Sequence, residues 1–423
     1  MMNTARPEIL APAGSHEALS AALKAGCDAV YFGVEQLNMR ARSSTNFSTE
    51  DLAAIVERCN AHGVKSYLTI NTVLYDHDLA LMHRIVDSAA HCGVSAIIAS
   101  DHAVMASARK AGVPIHVSTQ ANISNIDTVA FYAAFADAMV LSRELSLRQV
   151  ESIVKEITRR DIRGPSGERV KIEIFAHGAL CMAVSGKCYL SLHSHNASAN
   201  RGACIQNCRK PYIVTDKEEG VELQIDNEYI MSAKDLCTIG FLDKVVGAGV
   251  AILKIEGRGR AADYVYTTTS CYREAVDAIA RDNYDRDKIE QWTQRLATVF
   301  NRGFWDGYYL GRRLGEWNDA QGSKATERKI RVGRGVNYFR DIGVAEFVLE
   351  SNRLTLGDKL LITGPTTGVV TTQVTELRVD GKSVDAVAKG SRFSLPVPET
   401  VRPSDTLFKV QPVRQQSDGQ PQT

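Results

Sequence analysis

The sequence lacks the features of a secreted or membrane-spanning protein. Its 423 residues contain no uninterrupted apolar run that approaches the roughly 20 residues needed to span a bilayer. The first residues, MMNTARPEILAPAG, show no basic stretch followed by an apolar run, so no secretory signal is predicted. We therefore expect a cytoplasmic protein without a membrane partner.

The sequence also has little net charge. Fifty Lys and Arg residues stand against 49 Asp and Glu residues, which gives a formal charge of +1. The field of the whole protein is therefore too weak to attract a polyanion. Any nucleic-acid partner must be held by a local basic patch.

Eight short apolar segments alternate with amphipathic helical patterns in the first two thirds of the chain. The segments are residues 8–14, 28–33, 65–72, 95–101, 114–122, 137–145, 171–179 and 250–258. Strands joined by crossover helices pair in parallel, and eight such units predict an α/β fold of the (β/α)8 TIM-like barrel type. An open doubly wound sheet is the alternative, but no G-x-G-x-x-G follows the first strand.

Composition divides the chain into four parts. Residues 1–282 are predicted to form the barrel domain, with a cysteine-rich insertion at about 177–249. Residues 283–327 are predicted to be a helical and aromatic connector. Short alternating runs divided by Gly and Asp turns predict a small all-β barrel domain at 328–412. The polar residues 413–423 are predicted to be a disordered tail.

Five of the nine cysteines lie in the insertion. Four of them, Cys181, Cys188, Cys204 and Cys208, follow a C-x6-C-x15-C-x3-C spacing among Gly, Ser and Asn residues. In a reducing compartment such a cluster predicts a soft-metal site rather than disulfides. The alternative is that they are free core thiols, which is the interpretation we give to the four isolated cysteines, Cys27, Cys59, Cys92 and Cys271.

The spacing leaves the metal open. Only Cys204 and Cys208 are as close in sequence as structural zinc usually requires. A [4Fe–4S] cluster tolerates irregular spacing but needs four thiolates. The fifth cysteine, Cys237, either replaces one of the four ligands or lies next to them.

Polar side chains end most of the predicted strands. In a (β/α)8 barrel the active site lies at the carboxyl ends of the strands, so these residues are the candidates for catalysis. They are Asn71, Asp101, Ser118, Gln120, Asn122, Arg143, Glu144, His177, Glu256 and Arg258. Two simpler roles are open: Arg143 and Glu144 pair across the rim, and Asp101 caps the helix that follows it.

Three residues have more specific candidate roles. His177 stands at the start of the cysteine-rich insertion, where it would hydrogen-bond a sulfur, ligate the metal or relay protons. Arg40 and Arg42, in LNMRARSS after the second strand, would clamp a carboxylate or phosphate by bidentate hydrogen bonds. The alternative for this arginine pair is a solvated basic loop.

Many segments of the chain resemble the peptidase U32 family, in the same order, over about the first 280 residues. They include APAGSHEALSAALKAGCDAVYFG, HVSTQAN, EIFAHGALCMAVSGKCYLS, RGACIQNCRKPY and LKIEGRGR. Within that family the sequence is most similar to the bacterial tRNA hydroxylation proteins, whose four cysteines match Cys181, Cys188, Cys204 and Cys208. Other relatives act in hydroxylation of ribosomal RNA and in anaerobic ubiquinone biosynthesis.

The resemblance implies an enzyme that hydroxylates the wobble uridine of tRNA to 5-hydroxyuridine. It implies a [4Fe–4S] cofactor and prephenate as a required metabolite, so that the partners would be tRNA and a small dicarboxylate. The family's older label is a collagenase-like peptidase, although the sequence shows no H-E-x-x-H helix and no evident nucleophile with its base. A non-catalytic iron–sulfur partner of another hydroxylation system is the third interpretation.

Overall fold

The structure is a computed structural model that includes the main chain and side chains. It describes residues 6–42, 46–184, 187–210, 214–215, 218, 222–223, 231–311, 316–318 and 322–413. All but the first residue of the predicted disordered tail, 414–423, lies outside the described residues.

Among the described residues, the first twelve strands belong to the barrel, its insertion and the connector. They are β1 Glu8–Pro12, β2 Ala29–Phe32, β3 Lys65–Ile70, β4 Ala96–Ala99, β5 Ile115–Val117, β6 Ala138–Val140, β7 Lys171–Ala179, β8 Val214–Thr215, β9 Glu222–Leu223, β10 Asp235–Cys237, β11 Ile252–Ile255 and β12 Phe304–Trp305. Strands β1 to β7 pair in parallel in chain order, and β11 pairs with both β1 and β7. This closes an eight-stranded parallel barrel and confirms the predicted fold class.

Helices alternate with the barrel strands and cover the outside. They are α1 His16–Lys24, α2 Asp51–Ala61, α3 Leu79–Cys92, α4 His102–Lys110, α5 Ile126–Ala133, α6 Leu147–Arg160, α7 Leu190–His195, α8 Leu242–Gly247, α9 Ala262–Ala280 and α10 Arg286–Thr298. Asp101 caps α4 by accepting a hydrogen bond from the Ala103 amide at 2.9 Å, as the simpler interpretation of that residue predicts. Among the described residues, no helix is long and apolar enough to cross a membrane.

The barrel strands separate two sets of buried side chains. On β1, Ile9 and Ala11 pack with the helices in the large outer core, whereas Leu10 packs with Tyr31 and Tyr67 inside the barrel. This alternation is the period of two expected of a strand that is buried on both faces.

The insertion leaves the barrel from an unusually long strand, β7, and extends the sheet. Strand β10 pairs antiparallel with the end of β7 and parallel with β12. Gly178 on β7 has a φ of +107°, and a Cβ atom there would lie 2.6 Å from the Glu256 carbonyl oxygen. Only glycine allows this close approach, which brings the start of the insertion against the end of β11.

The last part of the chain forms ten strands. They are β13 Glu327–Phe339, β14 Val344–Leu349, β15 Leu354–Thr355, β16 Lys359–Gly364, β17 Gly368–Gln373, β18 Arg378–Val379, β19 Lys382–Ser383, β20 Ala386–Val387, β21 Arg392–Pro396 and β22 Thr406–Pro412. Eight of them form one antiparallel sheet in the order β17-β16-β22-β13-β14-β21-β18-β19, with Phe347 and Phe393 stacked in its core. The predicted all-β character is confirmed. Leu361 and Val369 join the outer core of the barrel.

Candidate functional site

A cavity of about 460 Å³ opens where the barrel strands end. One part of its wall comes from predicted strand-end residues, and the other part comes from the insertion. The predicted residues that line it are Arg40, Asn71, Ser118, Gln120, Arg143, Glu256, Arg258, Cys181, Cys188, Cys204 and Cys208. The fold therefore brings most of the candidates into one space.

The four clustered cysteines all border this cavity, and none of them is in a disulfide. Burial raises the pKa of Cys208, and the other three thiols raise it further, while Arg209 lowers it. The four sulfur atoms are thus close enough to interact electrostatically. A [4Fe–4S] cluster requires four thiolate donors, and the wall of this cavity carries four free cysteines. Within the described ranges, no three His, Cys, Asp or Glu side chains are grouped as ligands of a metal ion.

Two polar residues fix the insertion that carries the thiols. Asn200 accepts a hydrogen bond from the Cys188 amide at 3.3 Å, and its carbonyl accepts one from the Val73 amide at 3.1 Å. Arg209 donates to the carbonyls of Leu180 and Ala233, both at 2.6 Å. Because Leu180 precedes Cys181 and Arg209 follows Cys208, this guanidinium ties the two ends of the cysteine set together.

Glu256 forms a partly buried ion pair with Arg40 at the cavity wall. Tyr31 also donates a hydrogen bond to the second carboxylate oxygen at 3.3 Å. Burial acts to raise the pKa of Glu256, but Arg40, Arg143 and Arg258 together lower it to about 2. The carboxylate is therefore ionised at all physiological pH values, and it holds Arg40 in place.

Two other predicted arginines line the cavity with different surroundings. Arg258 donates to the side chains of Asn38 and Thr69, both at 2.9 Å, and burial lowers its pKa to about 10. The Arg143 guanidinium lies 3.9 Å from the centre of the Phe175 ring. It donates one hydrogen bond, to a main-chain carbonyl at 3.2 Å, and its buried Nε has no partner among the described residues.

In the described part of the chain, seven cationic side chains and one carboxylate line the cavity. The carboxylate is Glu256, and the cations are Arg40, Arg143, Arg209, Lys254, Arg258, Arg260 and Arg302. The guanidinium of Arg260 lies over the Phe300 ring, 3.5 Å from the ring centre. The arrangement favours an anionic ligand, because the lining cations outnumber the lining carboxylate.

Sequence reasoning missed Lys254, whose buried ammonium donates to Glu173 at 2.7 Å. His116 lies 3.8 Å from the other oxygen of this carboxylate. Burial acts to raise the pKa of Glu173, but Lys254 and His116 lower it. The signal was present in the sequence, since Lys254 and Glu173 are charged residues inside otherwise apolar strands. Arg209, Arg260 and Arg302 were missed because they lie on loops without a strand pattern.

His177 does not reach the cavity, contrary to its predicted role. It is 2% exposed and packs against the rings of Tyr264, Tyr272 and Phe304. Burial and Arg260 lower its pKa to about 3, so the ring is neutral. The physical reason is an irregularity in the pairing of β7 with β11, where one extra residue on β7 turns His177 toward helix α9.

Three other candidates also lie outside the cavity. Glu144 and Arg42 are exposed on the surface, and no ion pair joins Glu144 to Arg143 in the described part of the chain. Asn122 adopts a left-handed conformation with a φ of +52°, and its side chain donates to the Gln120 carbonyl at 3.1 Å. It therefore ends a local helical turn.

The fifth cysteine of the insertion is also separate from the other four. Cys237 lies on β10 opposite His177 and does not line the cavity. Its sulfur accepts a hydrogen bond from the Tyr272 hydroxyl at 4.0 Å. Burial raises its pKa to about 11, which keeps it as a neutral thiol. Its position agrees with a packing role.

Residues 14–319 of the chain match the model of Peptidase family U32. The chain is 58% identical over 408 residues to a protein from Porphyromonas gingivalis named collagenase, covering 96% of this chain and 99% of that protein. It is 31% identical to tRNA hydroxylation protein P1 of Bacillus subtilis, over 86% of this chain and 84% of that protein. A Helicobacter pylori relative, tRNA hydroxylation protein P, is 34% identical over 72% of each chain.

These relatives carry names for two different activities, and membership of a family does not by itself fix a substrate. The match nevertheless extends over the barrel from the end of β1 onward, and it includes the insertion with its four cavity cysteines and the residues of both cavity walls. The chain belongs to peptidase family U32.

Proposed function

We propose that this protein is an iron–sulfur-dependent tRNA-modifying enzyme that hydroxylates the wobble uridine to 5-hydroxyuridine, with prephenate as a required metabolite. The observation that carries the proposal is the meeting of Cys181, Cys188, Cys204 and Cys208 at one cavity with an excess of cations. The tRNA hydroxylation proteins among the relatives support the choice of substrate. A tRNA substrate agrees with the expected cytoplasmic location.

The four thiols would hold a [4Fe–4S] cluster as thiolates. When bound, the cluster would supply one-electron chemistry or a Lewis-acidic iron at the cavity. The positive charges of Arg40 and Arg209 near the sulfur atoms favour the thiolate form that ligation requires.

Two arginines have donors available for a dicarboxylate. A guanidinium has five N–H donors, and Arg143 uses only one of them in a hydrogen bond within the described residues. Arg260 is held by its contact with Phe300, and its guanidinium makes no hydrogen bond within that part of the chain. Each could therefore bind a carboxylate in bidentate fashion without breaking an existing contact.

Gln120 offers a complementary contact for the uracil base of the substrate. Its side-chain Oε1 is buried, lines the cavity and has no hydrogen-bond partner among the described residues. A buried acceptor without a donor is costly, so a ligand that supplies an N–H group is favoured. The imide N–H of a uracil ring would satisfy it.

A peptidase is the second candidate, because the P. gingivalis relative at 58% identity is named collagenase. In the described residues no histidine lines the cavity, and Glu256 has a pKa of about 2. A carboxylate this weakly basic is a poor general base near neutral pH, where the best catalytic groups titrate. The chemistry of this cavity therefore favours the hydroxylation proposal.

The test begins with protein purified without oxygen. We expect about four iron and four acid-labile sulfide per chain, as a [4Fe–4S] cluster requires. Transfer RNA from a strain that lacks the gene should contain no 5-hydroxyuridine derivatives, and a wild-type copy, but not a Cys204→Ser copy, should restore them. Zinc or no metal after anaerobic handling, or normal nucleosides in the deletion strain, would overturn the proposal.

Two controls separate the alternatives. Digestion of gelatin by the wild-type protein, unchanged by Cys204→Ser, would support the peptidase instead. If 5-hydroxyuridine is restored only when a second protein is present, and this chain supplies only the cluster, the non-catalytic partner role would be supported. Hydroxylation of purified tRNA by the pure protein in the presence of prephenate would exclude that partner role.

A further inference from the structure

The rim of the cavity exposes large aromatic and apolar side chains. Tyr189 is 69% exposed, and Tyr75 is 52% exposed. Met182, Val184 and Ile205 are also exposed, and each lies within three residues of a cavity cysteine in the sequence. Apolar surface grouped in this way marks a site of interaction with a ligand or partner.

The loops that carry the two tyrosines are joined. Asn200 bonds to the amide of Cys188, the neighbour of Tyr189, and its carbonyl accepts from the amide of Val73, two residues before Tyr75. The next residue, Arg201, places its guanidinium 4.1 Å from the centre of the Tyr75 ring. The two rings therefore belong to one connected surface that is anchored on the cysteine insertion.

The part of this surface that comes from the insertion is also basic. The 30 residues from 181 to 210 contain Lys187, Arg201, Arg209 and Lys210 and not a single Asp or Glu. Arg201 is paired with Asp78, and Arg209 is bonded to main-chain carbonyls, whereas Lys187 and Lys210 are exposed. The insertion thus supplies the local positive patch that a chain with a net charge of only +1 needs in order to bind a polyanion.

We infer that the rim is a docking site for a single-stranded RNA loop, with bases stacked on Tyr189 and Tyr75 and phosphates near Lys187 and Lys210. Proteins bind single strands by stacking bases on exposed aromatic rings beside cations that follow the backbone. An acidic electron-transfer protein would be attracted by the same charges but would not require two exposed rings. This inference rests on the proposed function and names how its substrate is held.

The test uses the anaerobically purified full chain and a fluorescently labelled RNA hairpin with the sequence of a tRNA anticodon arm. Stacking of one base contributes roughly 1–3 kcal/mol, so Tyr189→Ala should weaken binding roughly 5- to 150-fold in an anisotropy titration. Tyr189→Phe keeps the ring and should bind within about twofold of wild type. Tyr75→Ala tests the second ring independently, and the iron content of every variant should equal that of wild type.

The contribution of the two lysines is tested by the salt dependence of RNA binding. Replacing Lys187 and Lys210 together by Ala should reduce the slope of log Kd against log salt concentration by about 1.4, the value for two lost phosphate contacts on a single strand. An unchanged slope, together with slower reduction of the iron by an acidic ferredoxin, would assign the patch to an electron donor and overturn the inference.

Failure of this inference can be distinguished from failure of the proposed function. If wild type hydroxylates tRNA but Tyr189→Ala and Tyr75→Ala bind the hairpin as tightly as wild type, the docking site is wrong and the function stands. Equal weakening by Tyr189→Ala and Tyr189→Phe would also overturn stacking, because the second variant retains the ring. A wild-type protein that neither binds nor modifies RNA would overturn both.

Discussion

Replacing Glu256 by Gln tests whether this carboxylate holds the cationic wall of the cavity together. Its pKa falls from an ordinary value of 4.5 to about 2, although most of its side chain is removed from solvent. At about 1.4 kcal/mol per pKa unit, the ionised form stabilises the folded protein by about 3 kcal/mol near neutral pH. Glu256→Gln removes this charge and its ion pair with Arg40, so we expect the free energy of unfolding to fall by about 3 kcal/mol.

Urea denaturation followed by tryptophan fluorescence would measure this loss. A depressed carboxyl pKa stabilises the folded state above the unfolded pKa, and the stabilisation disappears as the pH falls through the folded pKa. The difference between wild type and Glu256→Gln should therefore be constant from pH 7 to pH 5 and should narrow below about pH 4.5. The matched control is Glu144→Gln at the exposed surface, which should change stability by less than about 0.5 kcal/mol.

Two results would refute this reasoning. If Glu256→Gln unfolds at the same urea concentration as Glu144→Gln, the arginines do not depend on the carboxylate. If the difference persists unchanged well below pH 4.5, its origin is packing rather than charge.

Three further predictions concern the thiols, a cavity arginine and the buried histidine. Cys204→Ser should lower iron content sharply, whereas Cys237→Ser should leave it unchanged, and iron analysis of anaerobic protein decides this. Arg143→Ala should raise the KM for prephenate roughly 10-fold or more, because it removes a hydrogen bond to a charged group, and Arg42→Ala at the exposed surface should change this KM less than about twofold. The unfolded chain binds a proton at this histidine below about pH 6.5, whereas the folded protein keeps the ring neutral, so stability is lost as the pH falls. Between pH 6.5 and pH 5 wild type should therefore lose about 1.6 kcal/mol more than His177→Phe in urea titrations.

The fold could be predicted from the sequence because each barrel unit repeats the same local signals. An apolar strand, a capped helix and a glycine at the next joint recur along the chain, and Gly93 after α3 has the left-handed conformation that such a joint requires. A closed barrel could be predicted because the sequence contains eight such units, the number in a (β/α)8 barrel.

The site could be predicted only in part, because the end of a strand does not determine the direction of a side chain. His177 occupies a strand end, yet one extra residue in β7 turns it away from the cavity. Asn122 follows its strand by a helical turn, which uses its side chain locally. Lys254 shows the opposite case, since its charge in an apolar strand was a usable signal of an inward position. Arg260 and Arg302 reach the cavity from loops, whose conformation has no periodic pattern.

The long insertion between β7 and β11 has a consequence for synthesis. The barrel sheet is closed by β11, but 72 residues separate the end of β7 from the start of β11. At 5–20 residues per second, a ribosome needs roughly 4 to 14 s to translate them. During this time seven strands are complete, and the outer edges of β1 and β7 have no closing partner. Unpaired strand edges promote misassembly, so the interval before β11 emerges is when the nascent chain most needs chaperone protection.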